Sequence, residues 1–373
     1  MHAVPAASRP PPEVPCHGGG WYLAPRDSAQ AGRVMFLPAG TRPVGYVALS
    51  RPRAAWLLAM AHAPFLAGVL VRGLWRAPAA VPRRLRAALS HVSGKPEVPD
   101  AAPLPPPARG FQPAVSLPVV SLIVPTTARG REVARCLRAL LAGTAYPALE
   151  LILVLAQPAP PDAAQRRLIA RLGPGPVRAV WLPAARFHFA AACNHGAALA
   201  RGTLLGLLND DVVPRGPGWL AAMVDRLAEP GIGVIGARLL YPEGSVQHVG
   251  IAVAADGTCH HPHRFLPAWA PAARQAREVT AVTGACLLTS RDLWRRLGGL
   301  DPGFASAGND VDFCLRARAA GARVVLEAAA ELTHDESRSY RRHYAHAETA
   351  RARADQLRLA TLVKLAASAP ITS

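Results

Sequence analysis

From Val119 onward, short apolar runs alternate with amphipathic segments at a regular spacing. Strands are expected at Val120–Pro125, 149–155, 177–182, Leu204–Leu208 and 231–240, with helices between them at 132–141, 165–172, 190–200 and Trp219–Leu227. The run at Leu204–Leu208 is apolar throughout rather than at every second position, the pattern of a strand covered on both faces. Strands alternating with helices imply right-handed crossovers and a largely parallel sheet. The expected class is therefore α/β, a mostly parallel central sheet flanked by helices. No G-x-G-x-x-G follows the first strand, which argues against a dinucleotide dehydrogenase.

The run at Leu204–Leu208 stops abruptly at Asn209, Asp210 and Asp211. Two carboxylates and an amide are thereby delivered to the carboxyl end of a central strand, where open α/β sheets bind ligands. Hard oxygen donors there suit Mg²⁺ or Mn²⁺ holding a phosphate. On these residues alone an ordinary polar turn is the competing reading, because Asn and Asp are common turn formers.

Upstream the pattern is different. Residues 1–20 read as a flexible leader, Pro- and Gly-rich and without the apolar segment of a secretory signal. Apolar clusters at 21–23, 34–37 and 44–49 suggest a few short strands in a small β appendage. Residues 54–75 are the most apolar long stretch, but His62, Pro64 and Arg72 interrupt them, and Arg76, Arg83, Arg84 and Arg86 follow. A basic amphipathic helix on an anionic membrane fits that better than a spanning helix; a helix packed on the main domain fits equally well. Eight prolines between Lys95 and Pro118 mark a linker. The expected organisation is an appendage over 1–94, a linker over 95–118, a main domain over 119–345 and a helical tail over 346–373.

Composition changes this picture modestly. The net charge is +18, and all but Lys95 and Lys364 of the 42 basic residues are arginine. Such a surface favours anionic partners, phosphates or lipid headgroups. Zinc-finger spacing and aromatic–basic interleaving are both lacking, so nucleic acid is not the expected partner. The six cysteines form no C-x-x-C pair and mostly sit in apolar runs, as reduced, buried cysteines do. The segment His260-His261-Pro262-His263-Arg264 invites a metal reading. Its adjacent side chains would point to opposite sides of an extended chain, so a polar loop lining a substrate cleft is the better reading.

Over residues 119–340 the chain resembles the family 2 glycosyltransferases, particularly bacterial enzymes of surface polysaccharide and O-antigen synthesis. The resemblance rests on VSLIVPT at 120–126, FHFAAACN at 187–194, NDD at 209–211 and SVQHVG at 245–250, then TGAC at 283–286, GNDVDFCLR at 308–316 and HDES at 334–337. It implies a GT-A fold and an inverting, metal-dependent transfer from a nucleotide-sugar donor to a glycan or lipid-linked acceptor. The expected setting is the cytoplasm, either free or at the inner face of the cytoplasmic membrane. By the same resemblance Asp211 and His334 are the expected ligands of Mn²⁺ or Mg²⁺, and Asp310 is the expected general base. Pro125, Thr126, Gln157, Asn194, Asn209, Asp210 and Gly284 fall on the nucleotide-sugar side, and His261, His263 and Asn309 on the acceptor side. Asp312 is expected to brace Arg316 or a helix N-terminus.

Two departures matter. Family members end the second strand with an Asp-Asn pair that holds the base, where this chain has Leu155 and Ala156, then Gln157. Ala128 stands where a polar residue is expected after Pro125-Thr126. The rival reading is a catalytically degenerate nucleotide-sugar or glycan-binding module. A nucleotidyltransferase would need a Gly- and Lys/Arg-rich loop after the first strand, which is lacking.

Overall fold

In a computed structural model the chain divides into two units, residues 1–98 and 99–373. The structure describes residues 104–105, 117–173, 175–254, 256–304, 307–335 and 354–363, together with five strands in the first unit. Those strands are β1 (Glu13–Cys16), β2 (Gly20–Leu23), β3 (Val34–Leu37), β4 (Gly40–Pro43) and β5 (Val47–Leu49). β2 pairs antiparallel with β3 and β5, over the apolar clusters of the sequence. β1 pairs with β4, so part of the stretch read as a leader is a strand. Pro15 and Pro43 within that two-stranded ladder suit it, because an edge strand tolerates a residue without an N–H. The apolar and basic segment at 54–86 lies outside the described residues. Among the described residues no helix is long and apolar enough to cross a membrane.

The second unit is built on one sheet. Its strands in chain order are β6 (Val120–Pro125), β7 (Leu149–Gln157), β8 (Val177–Pro183), β9 (Leu204–Leu208), β10 (Val212–Pro214), β11 (Ile232–Leu240) and β12 (Val246–His248). A hairpin of β13 (Ala252–Val253) and β14 (Cys259–His260) stands apart from the sheet, and β15 (Arg277–Glu278), β16 (Cys286–Ser290) and β17 (Arg323–His334) complete it. The order across the sheet is β10-β17-β11-β16-β9-β6-β7-β8, with β12 on β11 and β15 on β17. β9, β6, β7 and β8 are parallel, as the βα alternation requires. β16 enters antiparallel between β9 and β11, which makes the sheet mixed.

Helices α1 (Gly130–Ala142), α2 (Ala163–Ala170) and α3 (Phe189–Leu199) connect the parallel strands. α4 (Trp219–Leu227), α5 (Arg291–Arg296) and α6 (Asn309–Ala319) serve the second half. The sheet is covered on both faces, and strand alternation shows it. Val120, Leu122 and Val124 join one apolar cluster with Leu137, Leu140 and Trp219, whereas Ile123 joins another with Ala190, Cys193 and Phe313. α3 carries small residues because it lies close on the sheet. A Cβ at Gly196 would stand 2.5 Å from Ile123 Cγ2 and 2.9 Å from Val154 Cγ2. That approach fixes α3, and the loop before it, over the strand ends.

Candidate active site

The site begins where the parallel strands end. Thr126 follows β6 and donates its hydroxyl to Asp210 Oδ2 at 2.6 Å, while its own Oγ1 accepts the Ala128 N–H at 3.0 Å. Ala128 is buried in the left-handed region at φ 47°, an unfavourable conformation for a residue with a Cβ. Burial pushes the Asp210 carboxyl up to about 6, against the Thr126 hydrogen bond, and the neighbouring Asp211 charge adds to the rise.

Asp211 meets His334 across the sheet. β10 pairs with β17 so that Val212 stands opposite His334. His334 Nε2 then lies 3.0 Å from Asp211 Oδ1, and Asn209 Nδ2 lies 3.4 Å from the same nitrogen. On its other side His334 Nδ1 is 2.6 Å from Gln247 Oε1. Asp211 Oδ1 is buried, and no hydrogen bond of good geometry closes on it among the described residues. A buried carboxylate oxygen left in that state suits a cation. Two neighbouring ligands of an octahedral divalent ion, each about 2.1 Å from it, stand roughly 3.0 Å apart, which matches the observed separation. Asp211 and His334 therefore fit a divalent metal. Among the described residues they form a pair rather than a cluster of three or more. A small hard ion commonly takes its remaining ligands from substrate phosphates and water.

Asp310 is brought to the same strand ends by β16 and α6. The backbone N–H of Asn209 donates to Ala285 O at 3.1 Å, so the loop before β16 lies beside the Asn209–Asp211 corner. In that loop Gly284 N–H donates to Asp310 Oδ2 at 2.8 Å. Gly308, at φ 89°, precedes α6 and leaves Asp310 in its first turn, where Oδ1 accepts the Val311 N–H at 2.9 Å. The helix N-terminus and these donors favour the carboxylate. Enclosure by protein outweighs them and raises the Asp310 pKa, though the side chain keeps some surface open to water.

Two histidines connect to this loop. His248 is buried, and desolvation followed by the His261 charge holds its pKa well below the ordinary imidazole value. Neutral His248 accepts the Thr283 N–H on Nε2 at 3.4 Å, and its Nδ1 stands 3.1 Å from His261 Nδ1. His263 sits at φ 59° in the loop that follows. Asn309 is 6 % exposed and faces inward at the start of α6.

Two amide residues of the expected nucleotide-sugar side are engaged within the chain. Both ends of the Asn194 amide are taken by Leu300, through Nδ2 to its carbonyl at 2.8 Å and Oδ1 from its N–H at 2.9 Å. Gln157 shares reciprocal amide hydrogen bonds with Gln165, which also reaches Thr127 O at 2.6 Å. Leu155 is fully buried in the core, so no carboxylate stands at that point of β7. Arg316 makes two hydrogen bonds to Asp312 Oδ2, at 2.9 and 2.6 Å.

Sequence reasoning gave no role to Gln165, Gln247 or His248. Gln165 announces itself in Asp162-x-x-Gln165, the capping box at the start of α2. Gln247 and His248 lie inside SVQHVG, but their partners are remote in sequence. A separate cavity of about 680 Å³ lies between α1 and α2, lined by Arg129, Arg138, Arg167, Arg171 and Leu168, and it touches the site at Ala128.

Comparison with known proteins gives the chain's family. Over 263 residues, 69 % of this chain and 29 % of the relative, the sequence is 33 % identical to a Sinorhizobium fredii protein named "Uncharacterized protein y4gI". Over 234 residues, 61 % of this chain and 18 % of the relative, it is 36 % identical to the O-antigen biosynthesis protein RfbC of Myxococcus xanthus. The chain thus spans less than a third of the length of these two relatives. Among solved structures, GalNAc-T7 with UDP, GalNAc and Mn²⁺ is similar at a TM-score of 0.48 and 15 % identity, covering 59 % of this chain and 44 % of that one. Residues 118–355 match the family model described as "Glycosyltransferase like family 2", and the chain belongs to that family of enzymes.

Proposed function

We propose that the protein is an inverting glycosyltransferase that moves a sugar from a nucleoside-diphosphate donor to a hydroxyl of a glycan or lipid-linked acceptor in bacterial surface polysaccharide synthesis. The observation that carries the reading is the convergence of the Asp211–His334 pair and the Asp310 carboxylate on adjoining strand ends. Asp211 and His334 would hold the divalent cation, with Asp210 and Asn209 beside them. When bound, the cation neutralises charge on the departing diphosphate.

Asp310 takes the proton from the acceptor hydroxyl as the new bond forms. Gly284 fixes one of its oxygens, and the raised pKa brings its basicity closer to the working pH than an exposed aspartate would allow. Thr126 holds Asp210 in place, and His248 secures the Thr283–Gly284 loop that orients Asp310. The acceptor enters past His261 and His263. The O-antigen relative supports a polysaccharide acceptor, and the arginines that follow the apolar stretch at 54–75 support peripheral contact with an anionic membrane.

The test is a panel of sugar nucleotides, with and without Mn²⁺, read by nucleoside-diphosphate release and by the anomeric configuration of the product. Metal-dependent release and inversion support the proposal, and retention of configuration overturns it. The second reading, a binding module, is favoured by buried Leu155 at the base-binding position. Tight nucleotide binding without turnover of any donor would establish it instead.

A further inference from the structure

We propose that Gln247 is a positioning residue for the metal pair, holding His334 in the tautomer that carries its proton on Nδ1 and so leaving the Nε2 lone pair beside Asp211. The inference rests on the reading that this pair takes a divalent cation.

Gln247 lies on β12 and is 5 % exposed. Its Oε1 is 2.6 Å from His334 Nδ1, and its Nε2 lies 3.4 Å from the His334 carbonyl oxygen. These two contacts fix which end of the amide is which. Turned over, its NH₂ would face Nδ1 and its oxygen would face a carbonyl oxygen, with two acceptors opposed. The carboxamide oxygen therefore accepts, and Nδ1 donates.

A neutral imidazole has one N–H, so Nε2 is then an unprotonated acceptor, with the Asn209 amide nitrogen 3.4 Å away. Nε2 faces Asp211 Oδ1, another acceptor, at 3.0 Å. Two lone pairs at that distance repel unless a positive centre lies between them. In the opposite tautomer the ring would donate to Asp211, an ordinary His–Asp hydrogen bond with no site for a metal. Gln247 thus decides between a ligand and a hydrogen-bond donor. Partners behind metal-binding histidines generally act in this way, and their loss weakens metal binding by about 10–100-fold.

The neighbouring residue reinforces the arrangement. Side chains alternate along a strand, and while Gln247 serves His334, His248 reaches the Thr283 N–H beside Gly284 and Asp310. One short strand braces both halves of the site.

The test compares the full-length protein with Gln247→Met and Gln247→Glu. Methionine has nearly the shape of glutamine without its strong acceptor, whereas glutamate keeps an acceptor for Nδ1–H. Two-bond ¹H–¹⁵N spectra of the metal-free, histidine-labelled protein should show His334, assigned with His334→Gln, protonated on Nδ1. Calorimetry with Mn²⁺ alone should give about 10–100-fold weaker binding for Gln247→Met and binding within a few-fold of wild type for Gln247→Glu. A proton on Nε2 in the wild type overturns the proposal, as does unchanged Mn²⁺ affinity in a folded Gln247→Met variant. If Gln247→Met does not fold, the wild-type spectrum and Gln247→Glu still decide. Absence of Mn²⁺ binding in the wild type would instead overturn the metal reading of the site, and the spectrum would still settle the tautomer.

Discussion

Asp210→Asn should make the metal-free protein more stable at neutral pH and hardly change it in mild acid. An exposed aspartate titrates near 3.8, whereas burial holds Asp210 at about 6 in the fold. Between those values the folded state binds the proton more tightly than the unfolded state, so unfolding releases protons there. Stability from this group is therefore greatest below pH 3.8, falls as pH rises to about 6, and stays low above it. A rise of about two pKa units corresponds to about 3 kcal/mol. Asparagine cannot ionise, and its oxygen can still accept the Thr126 hydroxyl, so it removes most of that cost. For a unit of this size each kcal/mol is roughly 2–4 °C in Tm. The assay is thermal unfolding by circular dichroism from pH 4 to pH 8 in EDTA. The variant should gain about 5–10 °C at pH 8 and little at pH 4. A difference between the two proteins that stays constant across that range would refute the reasoning, because the raised pKa of Asp310 is common to both and cancels.

Asp310→Asn should lower turnover by about 10²–10⁴-fold while nucleotide affinity stays within a few-fold, measured by steady-state kinetics and calorimetry. In the wild-type protein the acid limb of kcat/KM should lie above the ordinary aspartate range, because enclosure raises the Asp310 pKa; a limb near pH 4 contradicts the assignment. Asp312→Ala leaves the Arg316 guanidinium without its carboxylate and should cost about 1–3 kcal/mol in denaturant unfolding, with catalysis lost in proportion to folded protein. Gly196→Ala forces a methyl against Ile123 and Val154 and should destabilise by about 1–3 kcal/mol, read as a lower denaturation midpoint.

The parallel half of the sheet was legible because its signals are local. Val120–Pro125, Leu204–Leu208 and Trp219–Leu227 coincide with the elements expected from apolar runs and period. The other elements of that half differ at their ends by a few residues; α1, for instance, begins at Gly130 rather than 132. β16 and β17 were not expected as strands. β17 mixes Glu327 and Glu331 into an apolar stretch, and its charges are matched by Arg226, Arg238 and Arg215 from elsewhere in the chain. No local pattern carries that information. The same holds within the site. Asp210, Asp211 and Asp310 stand out by chemistry and spacing, but the bond from Gln247 to His334 spans 87 residues and the clamp of Asn194 on Leu300 spans 106. Whether the Asn194 amide faces a ligand or closes a loop reads identically in one dimension, and here it closes on Leu300.

The pairing of Val212 with His334 also orders events in time. Asp211 belongs to the first-made half of the sheet, yet its partner arrives on the last strand of that sheet. Chains are synthesised at about 5–20 residues per second, so the 123 positions between Asp211 and His334 represent roughly 6–25 s of translation. Throughout that interval Asp211 is without the strand that carries His334. A product ending before residue 334 would retain Asp210, Asp211 and Asp310, and would lack the imidazole that completes the Asp211–His334 pair. On the proposed reading the metal pair is complete only once residue 334 has been made, which would keep shorter chains from metal-assisted transfer.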